Sequence, residues 1–482
     1  FSSRSERVAD LYLEGPDQFR GWFSASLLLS VAFQKKPPYR YYSHVQMVLF
    51  SHSKLVVHGF TADSEGRKMS KSLGNVVSPE QLIQEQKGCV DVLRRWAAFS
   101  GLDAVCSVGS KEIGQHASSY RMLRNSFRFL LGNLYDFDPL EQYRRLTGEH
   151  DTGLHTISEL VLHLGQLVSN LEPERSRMNT LDLAVLCWLG KIVSVGLDHA
   201  YPNYRFNTLL SEVDQLVSRL SSIYFTSVKD VIYCDSADSP KRRAIQTIFW
   251  LTVECFKLLL APVLPYLTEE VEEVCARQWP VGAQAGQHSM SLLERVSDNK
   301  LVSAFSDPPN TDWMACMNMM RDWERHDVCA DAVELVHRLY RSCIGVLESG
   351  LVAGSLEGSA VKRFHSSHIS IICAPHQSNI HSCLEMLHPD REAVSSESSL
   401  CQLFRCASIH WLVQDNPKPV QEHGITYDCP VTFQGMDLLL RLESISATNR
   451  CPRCMRYTPW EMHKLCRRCT DVVYPTVNNL AA

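Results

Sequence analysis

Lys68 and Lys71 stand three residues apart in Gly66-Arg67-Lys68-Met69-Ser70-Lys71-Ser72-Leu73-Gly74-Asn75, with hydroxyl side chains around them and a glycine at either end. Ammonium groups that converge from a flexible turn suit phosphate, because a compact point charge can follow negative charge that shifts during a reaction. Preorganised cations act most strongly where such charge develops. A bare pair of lysines at this spacing reads as a solvated basic loop. The uninterrupted string Lys68 to Ser72, with Leu73-Gly74-Asn75 behind it, is far more specific.

A second group with chemistry lies near the C-terminus. Cys451-Pro452-Arg453-Cys454 and Cys466-Arg467-Arg468-Cys469 are separated by eleven residues. Two such knuckles let four thiolates close on one ion in a tetrahedral, structural zinc site. Disulfides or free thiols are the alternatives. Arg450, Arg453, Arg456, Lys464, Arg467 and Arg468 surround the knuckles, with Tyr457 and Trp460 between them. Basic groups interleaved with aromatics suit an RNA end or loop.

Upstream, Asp10 to Phe23 begins as a short apolar strand and turns at Gly15-Pro16, so that Glu14, Asp17 and Gln18 follow a strand end. That is where open α/β sheets bind ligands. On its own the stretch also reads as an ordinary strand-to-helix loop capped by Asp17.

The lysine string resembles the second nucleotide-binding motif of the class I aminoacyl-tRNA synthetases. Glu14-Gly15 with Asp17-Gln18, Arg20-Gly21-Trp22-Phe23 and the lysine loop is similar to isoleucyl-tRNA synthetases in particular. The resemblance implies that the lysine loop, Lys68, Met69, Ser70, Lys71 and Ser72, binds ATP, with Lys68 and Lys71 catalytic. It implies that Glu14, Gly15, Asp17, Gln18 and His58 bind the aminoacyl-adenylate. Phe19 departs from it, standing where the family usually carries histidine. It further implies isoleucine, ATP with Mg2+ and tRNA(Ile) as substrates and partners, a structural Zn2+ at Cys451, Cys454, Cys466 and Cys469, and a monomer. The mitochondrial matrix is the expected location, with the cytoplasm as the alternative.

At 482 residues the chain has room for about three domains. Apolar content of 45% and charged content of 21% are those of a globular protein, and a net charge of -5 excludes a uniformly basic nucleic-acid coat. Eighteen scattered cysteines favour reduced thiols and a metal site over a disulfide framework. The apolar run Ile248 to Leu267 is broken by Glu254, Lys257, Pro262 and Pro265, so it reads as a buried helix and its end, and no membrane association is expected.

Met47 to Phe50 and Leu55 to Phe60 predict buried parallel strands. Ser78-Pro79-Glu80 predicts a capped helix start. Asp91-Val92-Leu93-Arg94-Arg95-Trp96 resembles the family's helix between catalytic and helical domains. Helical spacing then dominates residues 112 to 275: Leu123, Phe127, Leu130, Leu131 and Leu134; Ile157, Leu160, Val161 and Leu164; Leu210, Val213, Val217, Leu220 and Tyr224. Within it Arg121 to Leu134, Lys229-Asp230 with Tyr233, and Ala261 to Leu267 resemble the anticodon-binding bundle. Leu183-Ala184-Val185 is more apolar than that resemblance leads one to expect. A helix near Asp331 to Leu347 and strands at Ile369 to Cys373 and Ile409 to Val413 predict a small α+β region.

The expected fold class is therefore multidomain. A partial α/β Rossmann-like catalytic half occupies 1–102, an all-α anticodon-binding bundle 103–290, a linker 291–315, a small α+β domain 316–430 and a zinc ribbon 431–482. No His-x-Gly-His motif precedes Glu14, and His163-Leu164-Gly165-Gln166 lacks its second histidine. No editing insertion is recognised either, although a hydrophobic pocket separates isoleucine from valine only modestly. Since the chain opens at Phe1, the expectation is a C-terminal fragment of an isoleucine–tRNA ligase, inactive alone. The alternative is a non-catalytic tRNA-binding protein derived from a synthetase; a zinc-ribbon interaction module would account for the C-terminus only.

Overall fold

The computed structural model describes residues 11–38, 41–42, 54–63, 65–102, 105–149, 154, 157–171, 177–279, 312–352, 367–374, 377–390, 398–406, 408–414, 426–444, 449–451, 453–454, 457–458 and 465–473. The expected strand Met47 to Phe50 and most of the 291–315 linker lie outside them.

Three parallel strands open the fold: β1 (Leu11–Glu14), β2 (Tyr41–Tyr42) and β3 (Lys54–Val57), in the spatial order β1-β3-β2. Period-two alternation turns Tyr12 inward and leaves Leu11 and Leu13 exposed. Tyr12 stacks on Trp22 at 4.7 Å and packs against Phe23, both at the start of helix α1 (Trp22–Gln34). Tyr12 and Phe23, with Val57, form a small core separate from the main one. The far half of α1 keeps an uncovered apolar face, with Leu28, Leu29 and Phe33 exposed.

The expected strand Leu55 to Phe60 is shorter than the sequence suggests, because the chain leaves the sheet after Val57. The Gly59 N–H turns instead to the Leu102 carbonyl at 2.9 Å. A second parallel pair follows, β4 (Thr61–Ala62) with β5 (Cys106–Ser107).

Helix α2 (Pro79–Glu85) starts as expected, Ser78 accepting the Gln81 N–H at 3.2 Å with proline at the first turn. Helix α3 (Val90–Ser100) then ties the sheets to the bundle. Asp91 Oδ2 accepts the Leu267 N–H at 2.8 Å, Arg94 donates to the Pro262 and Val263 carbonyls, and Arg95 pairs with Asp214 at 2.5 Å. Trp96 Nε1 donates back to the Ser107 carbonyl at 3.2 Å.

The bundle comprises Ser110–Gly132, Pro139–Thr147, Ile157–Asn170, Thr180–Ser194, Phe206–Arg219, Thr226–Cys234, Pro240–Leu260 and Pro265–Gln278. Leu123, Phe127, Leu130, Leu160, Leu164, Leu210, Val213 and Tyr224 are buried as their spacing predicts. Each such side chain contributes about 1.5–3 kcal/mol on burial. In the Ile248 to Leu267 run, Lys257 lies buried between Glu254 and Glu272, 2.7 Å from each. A charge can sit there because it is paired on both sides.

Leu183-Ala184-Val185 gains a physical account. The helix Thr180–Ser194 runs through the centre of the core and is covered on its outer side by Asp312–Arg321 and Asp327–Val352, so Ala184 and Val185 are wholly buried. The stretch 180–203 is the one described helix long and apolar enough to cross a membrane, and most of it is buried in the structure.

This helix opens on a capping box between Asn179 and Asp182. Asp182 is fully enclosed and accepts the Tyr224 hydroxyl at 2.5 Å. Burial pushes its carboxyl up to about 6, against the Asn179 N–H and Tyr224 hydrogen bonds that favour the anion. A raised carboxyl stabilises the fold fully below its unfolded value of about 3.9, and that contribution is lost as pH rises through the folded value. Asp182→Asn should remove this dependence, on the order of 3 kcal/mol between pH 4 and 7. Melting temperatures at the two pH values check it: the variant should gain on the parent at pH 7, and an equal difference at both would refute the assignment.

A four-stranded sheet, in the order β7-β6-β9-β8, joins the same core through Ile369, Ile371, Leu440 and Leu442. Its strands are β6 (Ser367–Cys373), β7 (Ser408–Val413), β8 (Thr426–Phe433) and β9 (Met436–Ser444), so it lies on both sides of residue 430. A short antiparallel pair, β10 (Asn449–Arg450) and β11 (Tyr457–Thr458), and the helix Arg467–Val473 complete the described chain.

Candidate nucleotide site and metal centre

Glu14 and His58 sit at the carboxyl ends of neighbouring parallel strands, and the His58 N–H donates to the Glu14 carbonyl at 3.1 Å. From Glu14 the chain turns through Gly15 into the short 3-10 helix Pro16–Arg20. Asp17 is not its cap: Gly15 holds that position without a side-chain bond, and Asp17 lies in the first turn. Its Oδ2 instead accepts Gln18 Nε2 at 3.2 Å, and Gln18 Oε1 accepts the Trp22 N–H at 3.1 Å, fixing the start of α1. Phe19 packs edge-on against Phe23. Glu14 and Asp17 remain exposed and free to meet a solute.

His58 Nδ1 is 2.8 Å from the Gly59 carbonyl, so the ring is held against its own backbone. Two residues on, Phe60 is the contact that sequence reasoning missed. A Cβ on Gly15 would lie 3.6 Å from the Phe60 ring, and Lys68 Nζ stands over that same ring, 3.7 Å from its centroid. A cation above an aromatic face is held by the ring quadrupole. Phe60 thereby carries Lys68 of the lysine loop on its ring, beside Gly15. The only sequence signal was an aromatic residue between His58 and the lysines.

The loop itself is ordered. Gly66 and Gly74 both adopt left-handed backbone, φ 77° and 67°, which other residues enter only at a cost. Between them Ser70 caps the short turn Lys71–Leu73, accepting the Leu73 N–H at 3.3 Å, and its Oγ is 3.2 Å from Ser72 Oγ. Met69 is half-buried and packs on the main core, while Lys68, Lys71 and Ser72 are exposed. Such a loop can present two ammonium groups to a polyphosphate.

The structure also brings Cys451, Cys454, Cys466 and Cys469 together. All four are buried, and their sulfurs lie within 4.8 Å of one another. Cys454 and Cys466 sulfurs are 3.7 Å apart, close to the about 3.8 Å edge of a tetrahedron with 2.3 Å zinc–sulfur bonds. Burial works to raise the Cys451 thiol, but N–H groups of Cys466, Cys454 and Arg453 outweigh it and bring it down to about 6. Burial pushes Cys469 up to about 11. The donor set fits zinc. Arg453 Nη1 donates to the Cys234 carbonyl at 2.6 Å, docking the cluster on the end of the helix Thr226–Cys234.

Residues 3–106 match the family described as tRNA synthetases class I (I, L, M and V), and residues 195–306 match the anticodon-binding domain of tRNA ligase. The isoleucine–tRNA ligase of Geobacillus thermodenitrificans is 37% identical over 56% of this chain and 24% of its own length. That of Listeria monocytogenes is 35% identical over 65% of this chain and 28% of its own. The mitochondrial isoleucine–tRNA ligase of Mus musculus is 30% identical over 97% of this chain and 39% of its own. The chain thus spans about a quarter to two fifths of the length of these relatives. The synthetase match ends at β5, the strand that pairs with the root of the lysine loop, and the anticodon-binding match begins within the bundle: the chain carries a class I tRNA synthetase domain match and an anticodon-binding domain match, and is similar over nearly all its length to a mitochondrial isoleucine–tRNA ligase.

Proposed function

We propose that the protein serves as an isoleucine–tRNA ligase of the mitochondrial matrix, acting as a monomer in a polypeptide of its relatives' length. The observation that carries this is the placement of Glu14 and His58 at the ends of neighbouring parallel strands, with Lys68 of the lysine loop resting over Phe60 two residues beyond His58. In the reaction a carboxylate oxygen of isoleucine attacks the α-phosphorus of ATP, the bond to the β-phosphate breaks, and pyrophosphate leaves with Mg2+. The acyl group then passes to a terminal hydroxyl of tRNA(Ile), releasing AMP.

Lys68 and Lys71 face the charge that accumulates on the departing pyrophosphate. Met69, Ser70 and Ser72 shape the turn that carries them. Glu14, Gly15, Asp17, Gln18 and His58 hold the adenylate at the strand ends. The bundle receives the anticodon arm, and zinc bound by the four cysteines would close the C-terminal ribbon. The domain divisions drawn from the sequence form part of this reading, as does the 1–102 segment being the second half of a catalytic domain. The mouse relative supports the mitochondrial placement.

Isoleucine-dependent exchange of labelled pyrophosphate into ATP tests the proposal, in the protein of full synthetase length with leucine, methionine and valine as controls. Exchange strongest with isoleucine is the expected result. No exchange, with tRNA binding retained, would replace the proposal by the non-catalytic tRNA-binding alternative.

A further inference from the structure

Asp63 stands where β4 runs out, one residue beyond Ala62, with its side chain nearly enclosed. Both its oxygens are used twice. Oδ1 accepts the backbone N–H groups of Glu65 at 3.0 Å and Arg67 at 2.8 Å; Oδ2 accepts Arg67 Nε at 3.0 Å and Asn75 Nδ2 at 2.9 Å. Asn75, twelve residues on, then reaches inward. Its Oδ1 accepts the Ser70 N–H at 2.9 Å, and its Nδ2 lies 3.4 Å from the Lys68 carbonyl. Two side chains at opposite ends of the loop therefore fix backbone at residues 65, 67, 68 and 70.

The lysine side chains make none of these bonds. Arg67, the third cation of the string, is engaged by Asp63 at 3.0 Å and Glu65 at 3.1 Å. The arrangement sorts the three cations: one is tied into the frame, and two are carried on it. An ammonium group's position follows from the backbone that carries it, and misplacement by about 1 Å can cost about 10²-fold in rate.

We propose that Asp63, acting through Asn75, is the positioning residue of the lysine loop, setting in the absence of nucleotide the backbone from which Lys68 and Lys71 reach the phosphates. This rests on the nucleotide reading of that loop. Asp63 touches neither substrate nor reacting atoms. The Asn75 hydrogen bond first, and then the Arg67 N–H, hold its carboxyl down at about 2. A lowered carboxyl gives its support above the ordinary 3.8 and loses it only as pH falls through about 2, so the frame does not titrate at physiological pH.

Two readouts test this. In the 482-residue chain, Asp63→Ala and Asn75→Ala should each speed tryptic cleavage after Arg67, Lys68 and Lys71 by about tenfold or more, with the melting temperature unchanged, as local opening does. In the full-length protein, Asp63→Ala should lower kcat for pyrophosphate exchange by about 10–10²-fold with KM for isoleucine unchanged. Asp63→Asn, which keeps one accepting oxygen, should recover part of that loss. The double variant Asp63→Ala/Asn75→Ala should be little worse than Asp63→Ala, because both act through one frame.

Cleavage at the parent's rate, or exchange within about twofold of it, overturns the proposal. If Asp63→Ala does not fold, Asn75→Ala decides by the same criteria, since it leaves the Asp63–Arg67 pair in place. Normal exchange by Lys68→Ala would instead bring down the nucleotide reading. Impaired Lys68→Ala beside normal Asp63→Ala would remove only the positioning role.

Discussion

Lys68→Ala in a protein of full synthetase length should slow isoleucine-dependent pyrophosphate exchange by about 10²–10³, the scale for losing one preorganised contact to developing charge. The loss should fall on kcat, because the ammonium interacts most strongly with charge that appears as pyrophosphate departs. In the free protein Lys68 Nζ rests over Phe60, a contact of about 0.5–1 kcal/mol at an exposed site. A polyphosphate can outbid so weak a hold, whereas a buried ion pair would have kept the lysine from its task. Lys68→Arg keeps the charge but presents a planar fork with different reach, so partial activity is expected. Steady-state exchange kinetics at saturating ATP check the prediction. Wild-type rates in Lys68→Ala would end the assignment of this lysine to catalysis.

The second large effect concerns Cys469, whose side chain has no exposed surface. Cys469→Ser should abolish zinc retention, lowering metal content from about one equivalent to none. Among the described residues the module around it has little apolar core: the four cysteines pack with Cys234 and, at the edge, Leu465. Bound zinc would then supply its folding free energy, about 10–16 kcal/mol in comparable short modules. The bundle keeps its own core, so the helical circular dichroism should persist while the C-terminal segment becomes sensitive to protease. Binding requires the Cys469 proton to leave, and burial holds that thiol up at about 11 without metal. Zinc affinity should consequently fall as pH falls. Elemental analysis before and after dialysis against chelator measures this, and a metal-free native protein with four titratable thiols would contradict it.

The helical stripes were readable because a period of 3.6 depends only on residues three and four apart, and Leu123, Phe127 and Leu130 duly lie inward. The Ser78-Pro79 start was readable for the same local reason. The four cysteines carry their spacing with them, and the structure gathers their sulfurs. What escaped the sequence is contact made at a distance. Asp91 accepting from Leu267, or Asn179 donating to Gln402, leaves no periodic trace. Asp17 has the right type for a cap and the chain to follow, but Gly15 already starts the turn. Asp63 and Asn75 resemble any polar loop residues until their bonds are seen to converge.

Helix α3 has a mechanical consequence. Its Asp91, Arg94 and Arg95 are fastened to the bundle; the segment that follows it carries β5, which pairs with β4, and β4 leads straight into Asp63. Eleven residues of α-helix make a bar about 16 Å long, and a tilt of about 5° carries one end through about 1.4 Å. The lysine loop therefore has a tolerance set by joints far from it. Substitutions of Asp91 or Arg94, whose side chains grip the Leu267 N–H and the Val263 carbonyl, need not touch nucleotide to spoil the aim of Lys68.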